Sequence, residues 1–186
     1  MTPHAIADAW NSVSEGLRAN PDKARAKYAP ATATLESGLM CRVAGPSGEL
    51  VETDMPPAMG GAGSRPNPGW LFRASLAACC STVIAAQAAR LGIKLTGLEV
   101  TVDGEGDNRG ILGLDDSISA GHSTVRTVVR ISADIATSEQ LKELVQWAVA
   151  HSPVGCTVRD ATPGTVNVIV TGAGSGQVLA HRRGSA

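Results

Sequence analysis

Residues 67–92 read NPGWLFRASLAACCSTVIAAQAARLG, and this stretch decides the fold. Pro68 suits the first turn of a helix, which does not need its missing N–H, and Gly92 is typical of a helix C-terminus. The residues between them are apolar on nearly every face of a helix. We therefore predict a helix from Pro68 to Leu91 that other structure surrounds. The polar residues within it, Arg73 among them, favour a buried helix over a membrane span.

Two strands are predicted on the C-terminal side of this helix. Leu98–Asp103 alternates apolar and polar residues, which marks a strand with one buried face. A second strand shows the same alternation after the glycine-rich segment 104–121. Its predicted buried face consists of Val125, Val129, Ile131, Ala133 and Ile135.

A third helix and a last strand follow. Thr137 and Gln140 match the capping-box pattern of a helix start, and Pro153 is expected to kink or end that helix. Thr165–Val170 is a predicted strand, and the Gly/Ser-rich residues 172–186 predict a disordered tail. The third helix has a predicted core stripe of Leu141, Leu144, Val145 and Ala148.

The N-terminal side predicts a helix and then a hairpin. Apolar residues recur at helical spacing within residues 4–28, with an interruption at Asn20-Pro21. Ala33–Val43 and Glu49–Thr53 are predicted strands, joined by the turn sequence Gly45-Pro46-Ser47-Gly48. A Gly- and Pro-rich loop leads from the hairpin to the central helix. This order of elements and its hairpin connections indicate an α+β fold with antiparallel sheets.

The composition indicates one globular domain, or two small ones that share a core. The chain has 186 residues, of which 43% are hydrophobic and 18% charged. Its net charge is −1 and it has no run of Lys or Arg, so we expect neither nucleic acid nor a membrane as partner. The N-terminus lacks the pattern of a secretory signal. We therefore expect a cytoplasmic protein whose four cysteines are reduced thiols.

Cys79 and Cys80 lie together in the middle of the predicted central helix. Free cysteine is among the most buried residue types, so core packing is the simplest interpretation of both. A reactive thiol needs a nearby cation or helix N-terminus, and Arg73 is two turns away from Cys80. Cys156 follows Pro153, and it is open to a structural interpretation as well.

The sequence shows no motif for a metal or a nucleotide cofactor, so we expect neither. The four histidines are scattered without metal-ligand spacing, and no glycine cluster leads from a strand into a helix as in nucleotide-binding motifs. His151 and Ser152 are neighbours, but adjacent residues of a helix do not face each other. The chain also lacks the G-x-S-x-G elbow of many serine hydrolases.

A set of short motifs gives the sequence a family resemblance. The first group is Thr53-Asp54-Met55-Pro56-Pro57, Gly60-Gly61, Asn67-Pro68, Leu71-Phe72 and Leu76-Ala77-Ala78-Cys79. The second group is Ala89-Arg90-Leu91-Gly92-Ile93 and Ser152-Pro153-Val154. In this order and spacing they resemble the OsmC/Ohr family, the osmotically inducible and organic hydroperoxide resistance proteins.

The resemblance covers about Thr32 to Val170 and implies an OsmC-like fold. In that fold, antiparallel sheets enclose two central helices in an intertwined, domain-swapped homodimer. The implied organisation is an N-terminal helical extension at 1–31, an OsmC-like domain at 32–171 and a tail at 172–186. A partner subunit would also account for the helix that is apolar on all faces.

The resemblance implies a role for Cys79. In the peroxidase members, a cysteine of the central helix attacks the peroxide and a second one, in a C-P-V motif, resolves the sulfenic acid. Cys79 lies twelve residues after Asn67 and matches the attacking cysteine. The resolving position is Ser152, which cannot form a disulfide, and Cys156 is a candidate replacement one helical turn later.

The residues that activate the attacking cysteine in the family are only partly present in this sequence. Ohr-type members place a glutamate after the Asn-Pro pair, where it orients an activating arginine, and this chain has Gly69 there. Arg42 lies in about the corresponding hairpin, but the local sequence does not match. The activating arginine therefore stays unassigned.

Two functions are compatible with these residues. The first is thiol-dependent reduction of organic hydroperoxides through Cys79, with resolution by Cys156 or by an external thiol reductant. The alternative is a catalytically altered member that binds a small apolar or thiol-bearing ligand in the dimer pocket. A structural or interaction role through the N-terminal helix is a third hypothesis.

Overall fold

The central helix has the predicted position. The computed structural model describes residues 2–169 and the backbone of residues 179–181, and in it helix α2 spans Pro68–Arg90. The Asn67 side chain caps its start by accepting a hydrogen bond from the Trp70 N–H. Gly92 adopts a left-handed φ of 69° just after its end, which a side chain would disfavour.

The first sheet has three strands rather than the predicted two. Strands β1 (Thr32–Ser37), β2 (Met40–Ala44) and β3 (Leu50–Thr53) pair antiparallel in that order. The prediction of one strand over Ala33–Val43 was wrong because the chain reverses at Gly38, whose φ is 56°. Glycine adopts this conformation without steric strain, so a tight turn forms between β1 and β2.

The second sheet is a long antiparallel hairpin. Strands β4 (Leu95–Gly106) and β5 (His122–Ala133) confirm the two predicted strands and exceed their predicted lengths. A short helix, α3 (Asn108–Ile111), lies in the connection predicted to be a glycine-rich loop. The predicted burial of Val125 and Ile135 was wrong. Ile135 lies beyond the end of β5 and is 91% exposed, and Val125 is also exposed.

Helix α4 (Ser138–Ala150) confirms the predicted capping box, because Thr137 and Gln140 exchange both side chain–backbone hydrogen bonds. The helix ends before Pro153, which begins a separate helix, α5 (Pro153–Arg159). Proline has no N–H to donate, so it starts a new helix more readily than it continues an old one. Helix α5 was not predicted.

The core lies between α2, α4 and the β4–β5 hairpin. Ile84 of α2 and Ala148 of α4 are fully buried, and Leu144 is nearly so. Partly buried side chains of the hairpin, such as Val129 and Ile131, cover this cluster. The predicted stripe of α4 is therefore confirmed.

The N-terminal helix α1 (Pro3–Ala19) packs on α2, where Arg90 Nε donates to Asn11 Oδ1 over 3.2 Å. It ends at Ala19, which confirms the predicted interruption at Asn20-Pro21, and a 3-10 turn over Pro21–Ala24 follows in place of helical structure up to residue 28. Near the other end, β6 (Val166–Val168) pairs with β7 (Leu179–His181). Strand β7 lies inside the predicted tail 172–186, whose other residues fall outside the described ones.

Helix α2 is only partly covered by its own chain. Among the described residues, eight hydrophobic side chains are buried, whereas twenty large ones are exposed, and Trp70 at the start of α2 is 50% exposed. Within that part of the chain, α2 is also the one helix that is long and apolar enough to cross a membrane. The core helices of globular proteins can meet the same criterion. The prediction of a fully surrounded helix is therefore not met within one chain.

Candidate functional site

Two distant parts of the chain meet at Cys79. Ser152 lies 73 positions later, yet its Oγ donates a hydrogen bond to Cys79 Sγ over 3.2 Å. Ser152 is 3% exposed and Cys79 is half-buried. The contact joins the middle of α2 to the first turn of α5, so the structure brings together two of the three predicted site residues.

The local sequence explains the position of Ser152. Ser152 is the N-cap of α5, and its Oγ accepts a hydrogen bond from the Gly155 N–H over 3.4 Å. A hydroxyl carries one donor and two acceptor lone pairs, so capping leaves its proton free for the sulfur of Cys79. A Cβ at position 155 would lie 3.3 Å from Ser152 Oγ, which explains the small residue there.

Cys80 occupies a different environment from its neighbour. It is 4% exposed and belongs to the cluster around Ile84 and Leu144. Burial, and in second place the neighbouring Cys79, raises the pKa of the Cys80 thiol. Cys80 is therefore a core residue whose surroundings favour the neutral thiol, and it lies outside the family motif.

Cys156 lies one turn beyond Ser152 but has its own partners. Its Sγ donates to the Ala150 carbonyl over 3.3 Å and accepts a hydrogen bond from Arg159 Nη2 over 3.1 Å. The pKa of Arg159 is raised by Asp160 and, in second place, by Cys156. The sulfurs of Cys79 and Cys156 thus have different hydrogen-bond partners, and both residues are free thiols. Sequence reasoning missed Arg159, although its i+3 spacing from Cys156 on a helix was a usable signal.

No arginine of the described residues forms a hydrogen bond with Cys79. Arg42 lies on β2, paired with Glu52 of β3 in the first sheet. Arg73 instead donates from Nη1 to His122 Nε2 over 3.1 Å. The hydrogen-bond donor that the structure places on Cys79 is the Ser152 hydroxyl.

The described residues also contain no serine–histidine pair at this site. The His151 ring stacks on Trp147 with centroids 4.1 Å apart, and its Nδ1 lies 2.7 Å from the Trp147 carbonyl oxygen. The Ser152 hydroxyl points to sulfur instead. Within residues 2–169, no group of three or more His, Cys, Asp or Glu side chains could hold a metal ion.

Comparison with solved structures shows the same fold in other proteins. An organic hydroperoxide resistance protein OsmC from Legionella pneumophila is 21% identical, with a TM-score of 0.53 over 73% of this chain and 92% of that one. An OsmC-like protein from Mycoplasma pneumoniae is 17% identical, with a TM-score of 0.61 over 73% and 89%. An organic hydroperoxide resistance protein from Elizabethkingia anophelis is 23% identical, with a TM-score of 0.53 over 73% and 91%.

The sequence itself also identifies the family. Comparison with curated proteins gives no match. The sequence profile described as "OsmC-like protein" matches residues 61–167, which include all of α2, the β4–β5 hairpin, α4 and α5. Both Cys79 and Ser152 lie within the matched region. The protein therefore belongs to the OsmC-like family.

Proposed function

We propose that the protein reduces organic hydroperoxides through the thiol of Cys79 and that it works as a homodimer. The contact between Cys79 and Ser152 carries the proposal, because it lies where the family resemblance puts the attacking cysteine. The names of the Legionella and Elizabethkingia relatives, organic hydroperoxide resistance proteins, support the same reaction class.

In the proposed reaction, the Cys79 thiolate attacks the terminal oxygen of the hydroperoxide. The O–O bond breaks, an S–O bond forms, and the alkoxide leaves and takes a proton to become an alcohol. Sulfur is oxidised to sulfenic acid and the hydroperoxide is reduced. The Ser152 hydroxyl can donate its hydrogen bond to the thiolate before the attack.

An external thiol is the proposed resolving group. It condenses with the sulfenic acid to a mixed disulfide and water, and a second thiol then releases Cys79 as a thiol together with an external disulfide. The hydrogen bonds of Cys156 to Ala150 and Arg159 hold its sulfur among groups other than Cys79, which favours this route. Resolution by Cys156 is the second route. A reducing cytoplasm, the expected location, contains such thiols.

The homodimer is supported by apolar surface. Twenty large hydrophobic residues are exposed in the part of the chain that the structure describes, and exposed apolar patches mark interaction surfaces. Trp70 and Leu91, at the two ends of α2, are among them. A partner that covers this helix would complete the enclosed core that the all-round apolar sequence predicts.

The test is intact-mass spectrometry of the reduced protein after one equivalent of an organic hydroperoxide such as cumene hydroperoxide. The proposal expects one added oxygen in the wild type and in Cys156→Ser, and no change in Cys79→Ser. A loss of two hydrogens that requires Cys156 would identify the second route. If the Cys79→Ser protein also gained one oxygen, Cys79 would be rejected as the reacting thiol.

The alternative function is ligand binding without peroxide chemistry. It is favoured by Ser152, which cannot form a disulfide, and by Gly69, which lacks the family's glutamate. A small apolar or thiol-bearing ligand would then occupy the dimer pocket. A wild-type protein whose Cys79 stays reduced after cumene hydroperoxide treatment, yet binds such a ligand, would support this alternative.

A further inference from the structure

A concave site separate from the Cys79–Ser152 contact lies at the N-terminal end of α2. It is a cleft of about 490 Å³ bounded by the loop around Met55–Met59, the first turns of α2 and the connection between β4 and β5. Cys79 is not among the lining residues. The cleft therefore has a chemistry of its own, set by the side chains in its wall.

Arg73 provides the positive charge of this cleft. Its Nη1 donates to His122 Nε2 over 3.1 Å, and both residues line the wall. Among the described residues, Arg73 forms no ion pair with a carboxylate. A guanidinium has five N–H donors in a fixed fork that matches the two oxygens of a carboxylate. One bond to His122 leaves donors for a ligand.

The ring of His122, which is an exposed residue, has two close neighbours. It packs on Phe72 with ring centroids 5.2 Å apart. Gly104 also lies near the ring, since an added Cβ there would come within 2.7 Å of His122 Cδ2. Since a guanidinium can only donate, Nε2 of His122 accepts, and the ring orients Arg73 without competing for an anion.

The remaining charges of the cleft do not oppose an anion. Asp107 also lines the wall, but Arg109 Nη2 binds its carboxylate over 2.6 Å. This hydrogen bond holds the pKa of Asp107 below its usual range and offsets its negative charge locally. The N-terminus of α2, at Asn67–Gly69, carries the positive end of the helix dipole and lines the cleft. Like the charge of Arg73, it favours an anion.

The rest of the wall is largely apolar, with Met55, Met59 and Ile111 among the lining residues. We propose that the cleft binds small organic carboxylates, with the carboxylate on Arg73 and an aliphatic body against these side chains. This binding does not rest on the peroxide chemistry proposed above, because it uses no atom of Cys79, although Gly69, at the position of the family's glutamate, also lines the cleft.

Gly69 offers a way to test the proposal without removing Arg73. A Cβ at position 69 would lie 3.8 Å from Arg73 Nη1, so a glutamate there could bind the guanidinium in place of a ligand. The same Cβ would lie 3.3 Å from Asn67 Oδ1, which is closer than an ordinary contact, so the Asn67 side chain must move by a few tenths of an ångström in any variant at position 69. Gly69→Gln has nearly the same size without the charge, so it is the matched control.

The experiment titrates hexanoate into Cys79→Ser protein by calorimetry or ligand-observed NMR, with 1-hexanol as the neutral probe. We expect saturable binding of hexanoate that Arg73→Met and Gly69→Glu each weaken by roughly 10-fold or more. Gly69→Gln, and Arg126→Met on the exposed part of β5, should bind within roughly 3-fold of the parent protein.

Three results would overturn the proposal. The first is that hexanoate does not bind saturably. The second is that hexanol binds as tightly as hexanoate. The third is that a folded Gly69→Glu protein binds hexanoate as tightly as the parent protein. Circular dichroism establishes folding of each variant. Because the background lacks the Cys79 thiol, the result is separate from that of the peroxide test.

Discussion

The two faces of α2 at Cys79 and Cys80 put the same thiol into opposite environments. Cys80 faces the core with Ile84 and Leu144, and burial raises the pKa of its thiol. Cys79, one residue earlier, is half-buried and accepts a hydrogen bond from the Ser152 hydroxyl. The difference shows that the tertiary neighbours, rather than the helix or the local sequence, decide which of the two thiols is accessible.

The largest effect should be in thiol reactivity. Iodoacetamide should label Cys79 roughly 100-fold faster than Cys80, because Cys80 becomes accessible only after local opening of the core. Peptide mass spectrometry of the labelled protein over time measures both rates. Equal rates would mean that the two faces of α2 do not differ as described.

A core truncation on the Cys80 face should lower stability. Ile84 is 0% exposed, so Ile84→Ala should reduce the free energy of unfolding by about 2–5 kcal/mol. The matched control, Ile135→Ala at an exposed position, should change it by less than about 0.5 kcal/mol. Urea unfolding gives both values, and similar losses would contradict the assignment of the core.

Removal of the hydroxyl on the Cys79 face should slow the reaction with hydroperoxide. Ser152→Ala loses a donor to the charged sulfur, a bond typically worth about 1.5–3 kcal/mol, so we expect a rate roughly 10-fold lower. Stopped-flow measurement of peroxide consumption gives the rate. An unchanged rate would show that the hydroxyl has no role in the attack.

Ser152→Cys sharpens the same comparison. The 3.2 Å contact places a sulfur at position 152 next to Cys79, so oxidation should give an intramolecular disulfide. Non-reducing mass analysis would detect the loss of two hydrogens. Absence of this disulfide, with Cys79 oxidised, would show that the two positions do not meet in solution.

A smaller and pH-dependent effect is expected at Asp54, in the loop before α2. Its carboxylate accepts hydrogen bonds from Ser64, Met55 and Ala62, which hold the pKa of Asp54 below its usual range. These bonds favour the charged form, so their stabilisation is present above the unfolded-state pKa and is lost as pH falls through the lower folded-state value.

Asp54→Asn should therefore unfold more easily than the wild type at pH 7. The difference in unfolding temperature between the two proteins should narrow as the pH falls below about 4, where the wild-type carboxyl gains its proton. Thermal unfolding followed from pH 7 to 3 measures this gap. A constant gap would mean that the charge of Asp54 is not what stabilises the loop.

Local signals predicted the elements that the sequence marks clearly. Pro68 and Gly92 bound α2, because Pro68 has no N–H that would need a partner and Gly92 adopts the left-handed conformation after the helix end. Thr137 and Gln140 start α4, because their side chains satisfy backbone N–H groups at its N-terminus. The turn at Gly38 was missed because a single glycine with no Pro, Asn or Asp beside it is a weak turn signal. Helix α5 was missed because its seven residues are too few for a periodic pattern.

The site could be predicted only in part. The motif around Cys79 indicated the attacking position, and the Ser152-Pro153-Val154 sequence indicated its counterpart. No local pattern shows that Ser152 Oγ lies 3.2 Å from Cys79 Sγ or that Arg73 lies beside His122, because both pairs are distant in sequence. Such contacts depend on how α2 packs against α5 and the β4–β5 hairpin.

The most direct test of the account is a single-turnover measurement of hydroperoxide consumption by reduced protein. The account predicts that the wild type and Cys80→Ala each consume about one equivalent of cumene hydroperoxide per chain without added thiol, whereas Cys79→Ser consumes none. Consumption by folded Cys79→Ser, or its loss in folded Cys80→Ala, would contradict the claim that Cys79 is the reacting thiol.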